Sequence, residues 1–342
     1  READLVEEVA RIHGSDALPE RAPAAPARVP EVGLAERVME RAAAALSAAG
    51  LDEALHLAFA DPAKDGEILR QETSFVRLQN PLAEHQSALR TSLLPALLRT
   101  VAFNLNRGAD SVRLWERGRV FLPRAAKATP VVEEEHLGGV LYGPAHAPTW
   151  TAPDRDVDFY DLKGALEALL AALGIREAVW APSDAPHLHP RSACELRVGE
   201  VVLGQLGELH PLSAEALELP RGVFVFELSL GALAKVAVLE PRYQGVPRFP
   251  AVLRDLAVVV PREVTAAQVE AVLRGPKGEG LVEDVRLFDL YEGAQVGEGK
   301  KSLAFAIRYR DPNKTLSDRE VAPVHEALIA ALRRELGAEL RG

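Results

Sequence analysis

Long apolar runs are missing from this sequence, and cysteine nearly so. No stretch reaches the roughly 18 apolar residues that carry a helix across a bilayer, and no export-signal pattern is visible. Cys194 is the one cysteine, which excludes an internal disulfide framework and makes a reducing, cytoplasmic setting the expectation. With no CxxC, HExxH or GxxxxGK[ST] in the chain, the usual zinc and phosphate-loop arrangements are absent as well. His187, His189 and His210 therefore read as ordinary loop and core histidines, and the glycine-rich "GPKGEG" at 275–280 reads as a turn. Methionine is missing from position 1. The chain opens on Arg1 inside a helical pattern, and a piece of a longer polypeptide is expected.

The 342 residues exceed what one hydrophobic core usually serves, so two or more domains are expected. Their 48% apolar and 26% charged content is that of an ordinary soluble globular protein. The formal charge of −10 is unevenly spread: residues 241–342 hold 16 Lys and Arg against 15 Asp and Glu, and the remainder hold 24 against 35. A polyanion can approach the first of these regions and is repelled by the second.

"READLVEEVARIHG" sets Leu5, Val6, Val9 and Ile12 at helical spacing and stops at Gly14, so residues 1–17 read as the closing helix of an upstream domain. "LPERAPAAPARVPEVG", residues 18–33, carries four prolines and reads as a linker. Over residues 34–240, helical patterns at 34–50, 92–108 and 158–174 are interspersed with strand patterns at 112–122, 136–143, 194–210 and 222–230. In the second helix Ser92 is placed to cap and Pro95 falls in the tolerated first turn. Helices among antiparallel strands predict an α+β module.

Three prolines in "LEPRYQGVPRFP" mark the next boundary, and residues 241–342 follow a different order. Strand 252–260, helix 266–274, strands 281–291 and 302–310, helix 318–336 and a short last strand make a βαββαβ, ferredoxin-like domain. Both helices open with capping boxes, Thr265 with Gln268 and Ser317 with Glu320. Such a sheet has one face under its helices and the other free.

Alternation along the strands assigns residues to these faces. Leu303, Phe305, Ile307 and Tyr309 belong under the helices, which turns Ser302, Ala304, Ala306, Arg308 and Arg310 outward. In the preceding strand Phe288 and Leu290 are expected in the core, with Asp289 and Tyr291 outside; in the first strand Ala257 shares the outer face with Asp255 and Val259. A tyrosine beside a floor of alanine and serine, rimmed by Lys300, Lys301, Arg308, Arg310 and Lys314, suits an unstacked base with its phosphates at the edge. Asp289 and Ser302 are positioned to read base edges. From composition alone, basic residues on an outer strand are more often a solvated face that discourages edge pairing.

Ten stretches in order give this face a context. "ADLVEEVARIHGSDALP", "NPLAEHQSALRTSLLPALL" with "NLNRG", "LWERGRVF", "DFYDLKGALEALL" and "LGQLGELHP" are followed by "RFPAVLRDLAVVV", "LFDLYEG", "GKKSLAFAIRYR" and "KTLSDREV". Together they resemble, nearly end to end, the C-terminal part of the bacterial phenylalanyl-tRNA synthetase β subunit family. One departure is "HPRSA" at 189–193, where the family has an extra glycine after the proline.

The resemblance implies an (αβ)₂ heterotetramer in which the α subunit activates phenylalanine with ATP and charges tRNA. Residues 34–240 would then be a class II synthetase-like module packed on α, and residues 241–342 an anticodon-binding domain for tRNA(Phe). Ala257, Asp289, Tyr291, Ser302, Arg308 and Arg310 would form the tRNA site. The family's magnesium site would fall on Asp4, Glu7 and Glu8, three carboxylates at i, i+3 and i+4 that suit a hard cation, with a further aspartate upstream. Read without the resemblance, the same three residues are an acidic, solvated helix face.

Class II active sites grip ATP with one arginine in a strand hairpin near a glutamate and another after a glycine-rich strand. Here Arg113 and Glu116 stand at the wrong separation, and "RGVFVFELSLGAL" has no arginine after its strand, so a module without chemistry of its own is expected. The competing expectation is a ferredoxin-like regulatory module that senses an amino acid.

Overall fold

The structure, a computed structural model, describes residues 1–21, 31–71, 74–124, 131–243, 245–278 and 280–341, without the side chains of 277 and 294. Most of the expected linker and part of the 275–280 turn lie outside the described residues. Contacts divide the chain into two units, Arg1–Pro241 and Arg242–Gly342.

The first unit runs α1 (Glu2–His13), α2 (Leu34–Ala48), β1 (Asp52–Glu53), β2 (Phe59–Ala60), α3 (Pro62–Leu69), β3 (Val76–Arg77), β4 (Ala88–Leu89), α4 (Leu94–Leu105), β5 (Val112–Pro123), β6 (Val131–Tyr142), α5 (Phe159–Ala172), β7 (Ala178–Pro182), β8 (Cys194–Val198), β9 (Val201–Glu208), α6 (Pro211–Glu215), β10 (Phe224–Ser229) and α7 (Leu230–Val236). Its main sheet has the order β1-β5-β6-β10-β9-β8-β7, antiparallel except for the β1–β5 edge. Period-two alternation on β6 and β10 sends Leu137, Phe226 and Leu228 to one face, under α2, α5 and α7. Val140 and Val225 go to the other, under Leu94, Leu97, Leu98 and Val101 of α4. Each such fully buried side chain contributes about 1.5–3 kcal/mol of transfer free energy.

Two local outcomes differ from expectation. The helix begins at Leu94, with Leu93 in the capping position; Ser92 Oγ accepts from the Leu94 N–H at 3.1 Å, and the Glu227 carboxylate takes the Leu93 N–H at 3.1 Å. Helix α1 buries none of its residues, so Leu5, Val6, Val9 and Ile12 form an exposed stripe.

The second unit runs β11 (Val252–Pro261), α8 (Ala266–Leu273), β12 (Val282–Tyr291), β13 (Lys300–Tyr309), α9 (Asp318–Leu336) and β14 (Glu339–Leu340). Its antiparallel sheet has the order β12-β13-β11-β14, the ferredoxin-like arrangement. Both capping boxes form: Gln268 and Thr265 exchange bonds at 2.8 and 3.2 Å, and Glu320 accepts from the Ser317 N–H at 2.9 Å. Leu256, Val258, Leu303, Phe305, Ile307 and Tyr309 pack with Val269 of α8 and with Val321, Leu328 and Leu332 of α9. The fold is thus α+β, a largely antiparallel sheet module followed in the chain by a ferredoxin-like domain, as the sequence pattern predicts.

Strand β12 departs from its simple alternation. Leu287 opposes Phe305 while Asp289, not Phe288, opposes Ala304, so one extra residue is inserted as a β-bulge. Phe288 is that residue and is 54% exposed instead of buried. Leu290 returns to the helix side opposite Leu303 but stays 55% exposed, because β12 is an edge strand with a neighbour on one side only. The bulge restores the outward setting of Asp289 and Tyr291.

Candidate nucleic-acid interface

Antiparallel partners share a face, so the register defines the helix-free surface directly. Tyr291 on β12 opposes Ser302 on β13; Asp289 opposes Ala304, which in turn opposes Ala257 on β11. These five residues form a contiguous floor of small side chains with an aromatic ring at one margin and a carboxylate beside it. Farther along the same face, Asp284 opposes Arg308 and Arg286 opposes Ala306.

Expected site residues differ in how open they are. Ser302 and Ala304 are only 2% and 9% exposed, so the floor lies under cover and is not bare. The cover over Ser302 is Arg341, whose guanidinium lies 3.5 Å from the Ser302 Oγ and 4.8 Å from the Tyr291 ring centroid. Strand alternation gave no sign of this, because Arg341 enters from β14 on the far side of β11.

Tyr291 is held from another direction too. A Cβ on Gly293 would stand 2.5 Å from the Tyr291 hydroxyl oxygen and 2.7 Å from its Cζ, so only glycine leaves the ring where it is. The signal for Gly293 was present in "LYEG", as a glycine two residues beyond the tyrosine.

The cations divide into engaged and available. Arg310 is not a free phosphate ligand: its Nε donates to Glu283 at 2.8 Å and its guanidinium also binds the Phe249 carbonyl. Lys300 pairs with Glu339 at 2.8 Å, and that contact holds the Glu339 carboxyl below its usual range. Lys314 binds Glu320, whose pKa falls to about 2 through the lysine and Ser317 bonds. Arg308 approaches Glu283 only to 3.9 Å and its side chain stays 49% exposed. It is the more available of the two arginines named from the sequence.

In the first unit, the groups that an ATP site would use have internal partners. Arg113 donates to the Pro144 and Ala145 carbonyls at 2.7 and 2.6 Å. Glu116 is fully buried and accepts from Arg90 at 2.8 Å, with His56 Nδ1 2.7 Å from its other oxygen. Leu93 lies so close over Gly138 and Gly118 that a Cβ there would meet it at 3.1 and 2.9 Å, while Phe226 leaves no room for one on Gly139.

Asp4, Glu7 and Glu8 lie on exposed α1, where Glu8 pairs with Arg11 at 2.6 Å. Among the described residues no group of three or more His, Cys, Asp or Glu is arranged to hold a metal, and these three carboxylates do not converge. The same holds for His187, His189 and His210. His210 Nδ1 accepts from the Leu212 N–H at 3.2 Å, His189 Nδ1 does so from Arg191 at 3.2 Å, and burial lowers the His187 pKa.

A helix-free βαββαβ face with a tyrosine, a small-residue floor and cations at the rim has the chemistry that suits an unstacked base with its phosphates at the edge. Residues 247–341 match the family model described as a ferredoxin-fold anticodon binding domain. Residues 18–230 match the model for the phenylalanyl tRNA synthetase beta chain CLM domain, and the chain belongs to that family. It is 46% identical over 347 residues to the phenylalanine–tRNA ligase beta subunit of Anaeromyxobacter dehalogenans, covering 100% of this chain and 43% of that protein. The beta subunit of Moorella thermoacetica is 42% identical, over 99% of this chain and 42% of its own length. The chain therefore spans less than half the length of the curated relatives it matches. Among solved structures it is similar to the pyrrolysyl-tRNA synthetase of Desulfitobacterium hafniense, with a TM-score of 0.45 and 17% identity over 58% of this chain and 67% of that one.

Proposed function

We propose that the chain is the non-catalytic part of a phenylalanine–tRNA ligase β subunit that binds the anticodon stem-loop of tRNA(Phe). The register that gathers Tyr291, Ser302, Asp289, Ala304 and Ala257 on one helix-free face carries this reading. Tyr291 stacks on an anticodon base, Asp289 and Ser302 hydrogen-bond to base edges, and Ala257 leaves room for the ring. Arg308 neutralises phosphate. Arg310, tied to Glu283 and the Phe249 carbonyl, positions the end of β13.

The first unit acts as scaffold in this reading, packing on an α subunit that uses ATP to activate phenylalanine, within an (αβ)₂ assembly. Its own sheet is supported as inactive by the filling of both faces and by the internal partners of Arg113 and Glu116. Arg113, already donating to two carbonyls, is not left as a preorganised donor for a phosphoryl group. Magnesium at Asp4, Glu7 and Glu8 belongs to the same proposal. Three exposed carboxylates on one helix do not fit the ion unaided, since Mg²⁺ demands near-octahedral oxygen donors.

Salt dependence tests the RNA reading against an amino-acid sensor. Binding of tRNA(Phe) to the whole protein is expected to weaken steeply as salt rises, because each phosphate contact releases counterions. Steep salt dependence that is unaffected by Arg308→Ala and Tyr291→Ala, or saturable phenylalanine binding to this domain that varies little with salt, contradicts the assignment.

A further inference from the structure

Arg341 continues the pairing of β14 with β11, donating its N–H to the Ala257 carbonyl at 3.0 Å, and so stands on the helix-free face. Its side chain crosses the small-residue floor. Nη1 ends 3.5 Å from Ser302 Oγ, Nη2 ends 3.3 Å from Gln295 Oε1, and Cζ lies 4.8 Å from the Tyr291 ring centroid. Among the described residues no carboxylate pairs with it, whereas Lys300, Arg310 and Lys314 each have one. A planar cation is thus laid on the aromatic surface expected to receive a planar base.

The magnitudes decide which occupant prevails. An exposed cation–π contact is weak, and hydrogen bonds as long as 3.3–3.5 Å add little. A base stacked on an aromatic ring is held more strongly. The base wins the ring, and the guanidinium, still charged and without a carboxylate partner, is released beside a phosphodiester chain. We propose that Arg341 is a further RNA ligand of this face, holding the place of the stacked base over Tyr291 in the free protein and passing to an RNA phosphate when the base arrives. The inference rests on the anticodon-binding reading above and adds to it a residue and an exchange.

The test is binding of a tRNA(Phe) transcript to the whole purified protein across a salt series, for wild type, Arg341→Gln, Arg341→Lys and Tyr291→Ala. Arg341→Gln is expected to weaken binding at least about threefold and to reduce the slope of log affinity against log salt by about 0.7, the contribution of one single-strand phosphate. Arg341→Lys, which keeps the charge, is expected to keep the slope. If Arg341→Gln binds as tightly as wild type or more tightly at an unchanged slope, the residue is only a plug and the inference is overturned. Equal weakening by Gln and Lys without a change of slope means a packing role, and overturns it equally. Tyr291→Ala separates the levels: if it weakens binding while Arg341→Gln does not, the RNA-binding face stands without Arg341. If neither variant changes binding, the reading of the face itself falls.

Discussion

The two units place their charges in opposite ways. In the first, Glu116 is buried with Arg90 and His56, and Glu227 is enclosed by His136, Ser92 and the start of α4. In the second, Asp255, Asp284, Arg286, Asp289 and Arg308 lie exposed on the helix-free face of the sheet, beside alanines and a serine. A buried ion pair fixes shape, because removing one member leaves an uncompensated charge. An exposed cation contributes little to stability and stays open to a ligand. The contrast assigns stability to the first set and binding to the second.

Removal of a buried partner is the strongest way to challenge this division. Glu116→Ala leaves Arg90, whose side chain is 5% exposed, without its carboxylate, and a loss of about 3–5 kcal/mol is expected in denaturant unfolding. A loss below about 1 kcal/mol, the range of surface pairs, would erase the contrast. Gly293→Ala sharpens the other side. The added methyl displaces the Tyr291 ring, so tRNA binding should fall toward that of Tyr291→Ala while the unfolding midpoint moves little.

Arg308 and Arg310 test the contrast at the end of one strand, β13. Arg308→Ala is expected to lower the salt slope of tRNA binding by about 0.7. Arg310→Ala, already held by Glu283 and Phe249, is expected to lower stability slightly and leave the slope unchanged. Equal slopes for the two variants would remove the distinction between engaged and available cations.

The smallest expected effect is a pH dependence in the first unit. Burial pushes the His136 pKa down, but the Glu227 and Glu134 carboxylates outweigh it and hold the folded value above 6.5. Burial likewise pushes Glu227 up, and His136, Ser92 and the Leu93 N–H outweigh it, leaving the folded value below 4.5. The histidine's contribution is therefore complete below 6.5 and fades as pH rises through its folded value. The glutamate's is complete above 4.5 and fades as pH falls through its folded value. The difference in stability between wild type and His136→Gln should be widest between these limits and shrink on either side, as read by urea unfolding at a series of pH values.

The sequence disclosed the second domain well because its signals are local. Capping boxes at Thr265 and Ser317 fixed the helix starts, and period-two alternation placed Ala257 with Ser302 and Ala304 on one face. The same rule failed at Phe288, where an inserted residue shifts the alternation that a strand pattern takes for granted. Arg341 was out of reach for another reason. Its place over Tyr291 depends on the order in which four strands assemble, and no spacing in the sequence encodes that. Arg310 was read as available because Glu283, its partner, lies across the sheet at a second irregularity in β12. The buried groups around Glu116 and Glu227 join residues from 26 to 135 positions apart, and only the fold brings them together.

The central claim is that Tyr291 carries an anticodon base on the helix-free sheet. Its most direct test is the affinity of the whole protein for tRNA(Phe) and for the same tRNA with altered anticodon bases, measured before and after Tyr291→Ala. The account predicts that the wild-type protein prefers the native anticodon. Tyr291→Ala should weaken that complex by about 1–3 kcal/mol and reduce the preference. Unchanged affinity together with unchanged anticodon preference would contradict it.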